Sequence, residues 1–206
     1  LSVLKEHSSV VIPDVVDYGV MDSDQYLVLE WINGGGDLSA KGYEVAGRKL
    51  AEMHKNCGNA FGLTPDNYLA TLKQINAPRD SWSAFYLGQR ILPALRLAHQ
   101  RGFLKEVSLA HAETMDARID TVFPPEPPSP LHGDLWSGNA MSALGDKMAL
   151  IDPAVYFGHR YMDLAMTRLF RGFPEAFYQG YESVYPLEGD IREAILLAQL
   201  YPILVH

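Results

Sequence analysis

Residues 132–139 of the chain read HGDLWSGN, and this polar stretch decides the predicted fold. Asp134 and Asn139 lie five residues apart within it. Asp152 follows the apolar run 148–151, which has the length of a β-strand. The loop carries a carboxylate and an amide, and the following strand ends at a second carboxylate. This order predicts that the three side chains converge.

These residue types are the ones that phosphoryl transfer from ATP requires. One carboxylate orients the attacking hydroxyl and accepts its proton, while oxygen ligands hold the Mg²⁺ that bridges the phosphates. The protein-kinase pattern places an Asp in the catalytic loop, an Asn five residues later as a metal ligand, and then another metal-binding Asp. Asp134 is therefore the predicted catalytic base, and Asn139 and Asp152 are the predicted metal ligands.

The sequence around these residues resembles the fructosamine and ketosamine 3-kinase family, a branch of the aminoglycoside phosphotransferase group that shares the protein-kinase fold. Residues 151–165, which read IDPAVYFGHRYMDLA, carry the resemblance together with 132–139. An HGD triplet with a later Asn would indicate only the broader group. The flanking residues narrow the resemblance to the ketosamine kinases. The resemblance covers essentially all 206 residues and is strongest between 131 and 173.

The resemblance implies an α+β, protein-kinase-like two-lobe fold with a truncated, β-rich N-terminal lobe and a mainly helical C-terminal lobe. Residues 1–32 are expected to be the remnant of the first lobe with its hinge strand, and 33–206 the catalytic and substrate lobe. No Gly-rich loop precedes residue 28, and Lys5 lies beside a predicted helix end. The chain is therefore expected to be a fragment of a longer protein, or the ordered part of one, and the family would continue with further helix after 206. A Lys and a Glu upstream would favour the enzyme, and their absence would favour a binding module. Taken alone, the chain is expected not to be a competent kinase.

The resemblance also implies roles for residues outside the Asp134 cluster, with ATP and Mg²⁺ as cofactors. The hinge is expected to meet the adenine of ATP at Glu30, Trp31 and Ile32. His132 and Asp163 are expected to support the catalytic loop, whereas Trp136 is expected to wall the sugar site. His159 is expected near the substrate, with a structural role as the open alternative.

The implied activity is phosphorylation of the 3-hydroxyl of a ketosamine, namely a fructosamine or ribulosamine on a glycated amine or lysine. Phosphorylation there destabilises the adduct, so the biological sense would be deglycation. Two alternatives stay open. One is an aminoglycoside- or choline-type phosphotransferase with another acceptor. The other is a non-catalytic kinase-like binding module, which the presence of Asp134, Asn139 and Asp152 disfavours.

Composition is typical of a globular enzyme domain that acts on a small molecule. A chain of 206 residues with 48% hydrophobic content can bury a sizeable core. The net charge of −8 argues against a nucleic-acid groove, which needs clustered Lys and Arg. No apolar run reaches the roughly 18 residues of a membrane span. Cys57 is the only cysteine, which favours a reducing cytoplasm. The oligomeric state stays open.

Hydrophobic periodicity and turn residues predict the secondary structure. A first helix is expected at Ala46, Leu50, Met53 and Cys57, and a second along Leu104, Ser108, Ala112, Met115, Ile119 and Val122. Five prolines within 123–130 predict an extended segment that leads into the catalytic loop. Strands are expected at 10–16, at 26–31 and near Met141 and Leu150, the last two joined by a turn at Gly145 and Asp146. His54 and Cys57 are expected in the core rather than at a zinc site.

Overall fold

The described part of the chain, residues 1–105 and 114–206 of a computed structural model, contains short antiparallel strand pairs among helices. The helices are α1 (Ser2–His7), α2 (Ala40–His54), α3 (Trp82–Tyr86), α4 (Leu92–Gln100), α5 (Asp116–Val122), α6 (Tyr161–Met166), α7 (Glu175–Glu182) and α8 (Ile191–Val205). The strands are β1 (Val15–Met21), β2 (Asp24–Leu29), β3 (Asn67–Leu69), β4 (Leu72–Gln74), β5 (Ser129–Leu131), β6 (Ala140–Ala143), β7 (Lys147–Leu150) and β8 (Tyr156–Gly158). A π-helical turn, Leu87–Ile91, joins α3 to α4.

The first part of the chain forms a hairpin of β1 and β2, whose side chains are largely exposed. The predicted strand at 26–31 is confirmed as β2, which ends at Leu29. The predicted strand at 10–16 is wrong over most of its length, because only Val15 and Val16 belong to β1. Val11 instead bridges to Ala149, and Pro13 has no N–H with which to continue a ladder.

Helices supply most of the remaining core. The predicted helix at 46–57 is confirmed as α2, with Ala46, Leu50 and Met53 buried. Cys57 lies beyond its end and is exposed, so the expectation of a core cysteine is wrong. α2 packs on α7, and α6 packs on α8.

The second predicted helical stripe is confirmed only at its last two positions, because Leu104 and Met115 are described but lie outside the helices. Ile119 and Val122 are buried on α5. The stripe positions Ser108 and Ala112 lie outside the described residues. Within residues 1–105 and 114–206, no helix has the length and apolar character needed to cross a bilayer.

Two strand pairs hold the segments that flank the HGDLWSGN stretch. The proline-rich segment is extended and ends in β5, which pairs with β8. The predicted strands around Met141 and Leu150 are confirmed as the β6–β7 hairpin, whose turn contains Gly145 and Asp146. The chain thus leaves β5, passes through residues 132–139 and enters β6, so that this stretch lies between two paired strands.

Candidate active site

Hydrogen bonds join the loop at 132–139 to the segment around Asp152. His132 accepts a bond at its carbonyl oxygen from the Ala154 N–H, at 2.8 Å. Its ring Nε2 donates to the Ile151 carbonyl oxygen, at 2.9 Å, and Nδ1 accepts from the Asp134 N–H, at 3.3 Å. Burial lowers the pKa of His132, so the neutral ring keeps this donor and acceptor arrangement.

The side chain of Asn139 fixes the Asp134 carboxylate. Its amide nitrogen donates to the Asp134 carbonyl oxygen at 2.8 Å and to Asp134 Oδ2 at 2.9 Å. Burial is the largest influence on the pKa of Asp134 and raises it, while the hydrogen bond from Asn139 opposes that shift. The nearby carboxylates of Asp163 and Asp152 add to the rise. A carboxylate with a raised pKa in a partly buried site is suited to accept a proton.

Asp163 lies beneath the loop and is fully buried. Its Oδ2 accepts a hydrogen bond from the His132 N–H at 2.7 Å, and its Oδ1 accepts one from the Gly133 N–H at 2.9 Å. His54 Nε2 lies 3.2 Å from Asp163 Oδ2, and His54 Nδ1 lies 2.8 Å from the Tyr181 hydroxyl. A buried polar chain from α7 through α2 to α6 therefore ends at the loop backbone.

Asn139 and Asp152 are the residues with oxygen atoms near Asp134 that were predicted to bind a metal. The Ile151 N–H donates to the Asn139 carbonyl oxygen at 3.1 Å, which places Asp152 one residue from that contact. The Asn139 amide hydrogens point to Asp134, so the amide oxygen is left for a cation. One amide and one carboxylate fit Mg²⁺, which keeps several waters or phosphate oxygens of its own. Within the described residues, no group of three or more His, Cys, Asp and Glu is arranged as a metal site.

A cavity of about 480 Å³ opens beside Asp134. Trp136 forms one wall, and its ring lies edge-on to Phe170, with centroids 6.0 Å apart. The cavity is bounded by Leu69, Ala70, Asp134, Trp136, Met166, Phe170, Pro202, Val205 and His206. Sequence reasoning found only Asp134 and Trp136 of this set, since the other residues come from distant segments that carry no motif.

His159 does not line this cavity, so the structure does not bring it together with Asp134 and Trp136, and its place near the substrate stays a prediction. Its side chain is 1% exposed and packs against Phe123, with ring centroids 4.9 Å apart. The ring Nε2 donates to the Pro124 carbonyl oxygen at 3.0 Å. His159 lines a separate cavity of about 330 Å³ with Trp82 and Glu126. The ring thus lies among aromatic side chains with both nitrogens hydrogen-bonded, an arrangement that favours the structural role left open as the alternative.

The expected hinge residues follow β2. The Glu30 N–H donates to the Asp14 carbonyl oxygen at 2.8 Å, and Trp31 is 83% exposed. Ile32 is half-buried, and the next residue, Asn33, accepts a bond from the Leu144 N–H at 2.9 Å. The chain after the hinge therefore crosses the β6–β7 hairpin, and contact of residues 30–32 with adenine stays a prediction.

Solved structures of aminoglycoside phosphotransferases share this fold. A type VIII aminoglycoside-3′-phosphotransferase has a TM-score of 0.57 over 99% of this chain and 77% of its own, at 17% identity. The gentamicin complex of APH(2″)-IIa has a TM-score of 0.55 over 97% of this chain and 67% of its own, at 19% identity. These likenesses show the fold alone. The fold and the Asp134 loop define the class, a kinase-like phosphotransferase.

The chain belongs to the fructosamine kinase family, whose model matches residues 1–206. "Probable ketoamine kinase slr1563" of Synechocystis is 34% identical, over 100% of this chain and 69% of the relative. "Probable ketoamine kinase YniA" of Escherichia coli K12 is 37% identical, over 99% of this chain and 70% of the relative. A Thermobifida fusca crystal structure, of a protein provisionally assigned as a fructosamine-3-kinase, has a TM-score of 0.87 and 37% identity, over 100% of this chain and 71% of that one. The predicted family and kinase-like fold are confirmed.

Proposed function

We propose that this chain carries the catalytic lobe of an ATP-dependent kinase that phosphorylates the 3-hydroxyl of ketosamines. The acceptor would be a fructosamine or ribulosamine on a glycated amine or lysine, and the reaction would serve deglycation. The observation that carries this proposal is the Asp134 carboxylate, which Asn139 holds at 2.9 Å on the wall of the 480 Å³ cavity. Family membership supports the acceptor class.

In this mechanism the acceptor hydroxyl lies in the cavity within hydrogen-bond reach of Asp134. Asp134 accepts the hydroxyl proton as the oxygen attacks the γ-phosphorus of ATP. The bond between the γ-phosphorus and the β–γ bridging oxygen breaks, so the products are the phosphorylated ketosamine and ADP. Most of the rate enhancement would come from positioning and charge stabilisation.

The other predicted site residues would bind the metal, the nucleotide or the sugar, or would position Asp134. Asn139 and Asp152 would hold Mg²⁺, which neutralises phosphate charge when bound. Glu30, Trp31 and Ile32 would meet the adenine, and Trp136 would pack against the sugar. Asp163 and His132 are proposed as positioning residues, because their hydrogen bonds go to the loop backbone and to the Asp152 segment.

A polycationic acceptor fits the cavity less well. An aminoglycoside site needs several carboxylates to pair with the amines of the substrate. Among the described residues that line the cavity, Asp134 is the one acidic side chain, and most of the others are aliphatic or aromatic. A sugar with an apolar face suits such a wall better.

We also propose a cytoplasmic location, which the single, unpaired Cys57 favours.

The test is ADP formation by the full-length protein with ATP, Mg²⁺ and a panel of ribulosamine, fructosamine, aminoglycoside and choline acceptors. We expect turnover on ketosamines only, and a fall of about 10²- to 10⁴-fold in Asp134→Asn, which keeps the shape of the side chain but cannot accept the proton. Asp120→Asn removes a carboxylate at the separate 330 Å³ cavity and is the matched control, with activity unchanged.

Three other outcomes overturn the proposal in different places. If Asp134→Asn were as active as the unaltered protein, Asp134 would not be the catalytic base. Turnover on choline or an aminoglycoside, but not on ketosamines, would mean that the acceptor is of another class and that the kinase mechanism stands. ATP binding without transfer to any acceptor would make the protein a kinase-like binding module.

A further inference from the structure

Arg90 is the feature of the core that phosphoryl transfer leaves unexplained. It lies on the π-helical turn and is fully buried. Its guanidinium lies 4.2 Å from the ring centroid of Tyr156 and 4.6 Å from that of Phe85. Within residues 1–105 and 114–206, no ion pair involves Arg90. Burying a cation without a carboxylate partner is costly, and among the described residues this guanidinium is held by aromatic rings and neutral hydrogen-bond acceptors instead.

The guanidinium is bonded to the segment that follows the β3–β4 hairpin. Nη1 donates to the Ile75 carbonyl oxygen at 2.8 Å, and Nη2 donates to Asn76 Oδ1 at 2.5 Å. Asn76 Nδ2 donates in turn to Asn67 Oδ1, at 2.8 Å. The planar fork of an arginine can serve two acceptors in a fixed geometry, which a lysine cannot. Arg90 therefore fixes both ends of the hairpin, β3 through Asn67 and β4 through Ile75.

The same network reaches the catalytic segment. Asn67 Nδ2 donates to the Val155 carbonyl oxygen at 2.7 Å, three residues after Asp152. Tyr156, on which Arg90 stacks, pairs with Leu131 directly before the catalytic loop. Arg90 thus contacts the base of the hairpin and the β5–β8 strand pair, which leads into the loop with Asp134.

The tip of the hairpin forms part of the cavity beside Asp134. Leu69 and Ala70 line that cavity, and Leu69 pairs with Leu72 across the turn. Ala70 has a φ of 50°, in the left-handed region that a residue with a Cβ seldom adopts. A strained turn persists only where its surroundings fix it, and the hydrogen bonds at the base of the hairpin supply that constraint.

We propose that the β3–β4 hairpin is an acceptor-selecting wall and that Arg90 is the positioning residue that fixes its distance from Asp134. The inference rests on the proposed kinase function, because it assigns the wall to the acceptor rather than to the nucleotide. The hairpin tip touches the cavity at Leu69 and Ala70, whereas the expected adenine contacts lie at residues 30–32.

The first test separates acceptor binding from nucleotide binding in Arg90→Lys. The charge remains, but one ammonium group cannot hold Ile75 and Asn76 in the same geometry. We expect the KM for the ketosamine to rise about tenfold or more, with the KM for ATP within about twofold of the original value. Tyr68→Ala is the matched control: Tyr68 lies on the same hairpin, is 62% exposed, and should leave both constants unchanged.

A second variant tests the wall without touching the network. Leu69→Ala shortens a side chain that lines the cavity, so kcat/KM should shift toward ketosamines with a bulkier amine. Unchanged acceptor preference in Leu69→Ala, or equal rises in both KM values in Arg90→Lys, would overturn the assignment of the hairpin to acceptor selection.

Amide hydrogen exchange gives a readout that needs no turnover. In Arg90→Lys the hydrogen-bonded amides of β3 and β4 should exchange at least tenfold faster, while those of α2 keep their protection. Uniformly faster exchange across the whole chain would assign Arg90 to general stability and overturn the proposal. If the unaltered protein phosphorylates no ketosamine, the proposed function fails instead, and the exchange result still reports whether Arg90 holds the hairpin.

Discussion

One buried carboxylate, Asp163, determines how the loop that carries Asp134 is held. Both of its oxygens accept backbone N–H bonds, one from His132 and the other from Gly133. His54 adds a third bond to Oδ2. A carboxylate can accept all three, whereas an amide has a single acceptor oxygen and would turn its NH₂ group toward an N–H donor. Among the hydrogen bonds of the described residues, the side chain at 163 therefore contacts the loop only through its backbone N–H groups, as expected of a positioning residue.

We expect Asp163→Asn to lower kcat by about 10²-fold, because a small displacement of the catalytic base has that effect. Its free energy of unfolding should fall by about 1 to 3 kcal/mol, the typical cost of a buried donor that loses its partner. Turnover assays and urea denaturation measure the two effects. Glu182→Gln, an exposed charge on α7, is the control. Unchanged kcat in a destabilised Asp163→Asn would mean that the loop does not depend on this contact.

At the scale of elements, α2 and α7 cross at unusually short range. A Cβ on Gly47 would overlap the carbonyl oxygen of Phe177, and one on Gly180 would overlap that of Glu44. The two glycines therefore let each backbone approach the other. This crossing also brings His54 on α2 to Tyr181 on α7, so the close approach aligns the polar chain that ends at Asp163.

Gly47→Ala should destabilise the protein by about 1 to 3 kcal/mol or more, because the added methyl group must separate two packed backbones. Gly88 supplies the matched control. It lies on the π-helical turn with open space where a Cβ would point. Gly88→Ala should be neutral or stabilising by up to about 1 kcal/mol, as expected from helix propensity. Equal effects of the two substitutions, measured by urea denaturation, would contradict the close crossing.

Local patterns predicted some elements and missed others for physical reasons. The helical spacing of Ala46, Leu50 and Met53 predicted α2, because a long amphipathic helix repeats its buried positions. Three-residue strands such as β3 and β8 were missed, because so short a segment carries no period. Their pairing partners are far away in sequence, as with Leu131 and Tyr156.

At the scale of the whole molecule, the site combines a local cluster with distant walls. Asp134, Asn139 and Asp152 were predictable because their chemistry is concentrated in one loop and the strand after it. Leu69 and Phe170 were not, since long-range packing alone brings them to the cavity. The neighbours of His159 in sequence belong to a motif, but its ring faces the aromatic core and does not line this cavity.

Buried histidines couple the fold to pH. Burial lowers the pKa of His159 to about 4, and the nearby Glu126 carboxylate opposes this shift. Glu126 is paired with Arg160 at 2.6 Å, so it does not compensate for the burial. Burial lowers the pKa of His132 as well. In the unfolded chain a histidine titrates near pH 6.5, so between about pH 6.5 and 4 the unfolded state binds protons that the folded state does not.

The sign follows from this difference: the free energy of unfolding must fall as the pH is lowered through that window. For His159 the loss is about 3 kcal/mol over the whole window, because each pKa unit corresponds to about 1.4 kcal/mol. His159→Phe keeps an aromatic ring against Phe123 and removes the titrating group, so its unfolding free energy should depend less on pH. Urea denaturation at pH 7, 5.5 and 4.5 measures both slopes. Parallel slopes would mean that the folded protein protonates His159 as readily as the unfolded chain does, whereas a flatter slope in the variant identifies this ring as a site through which acid unfolds the protein.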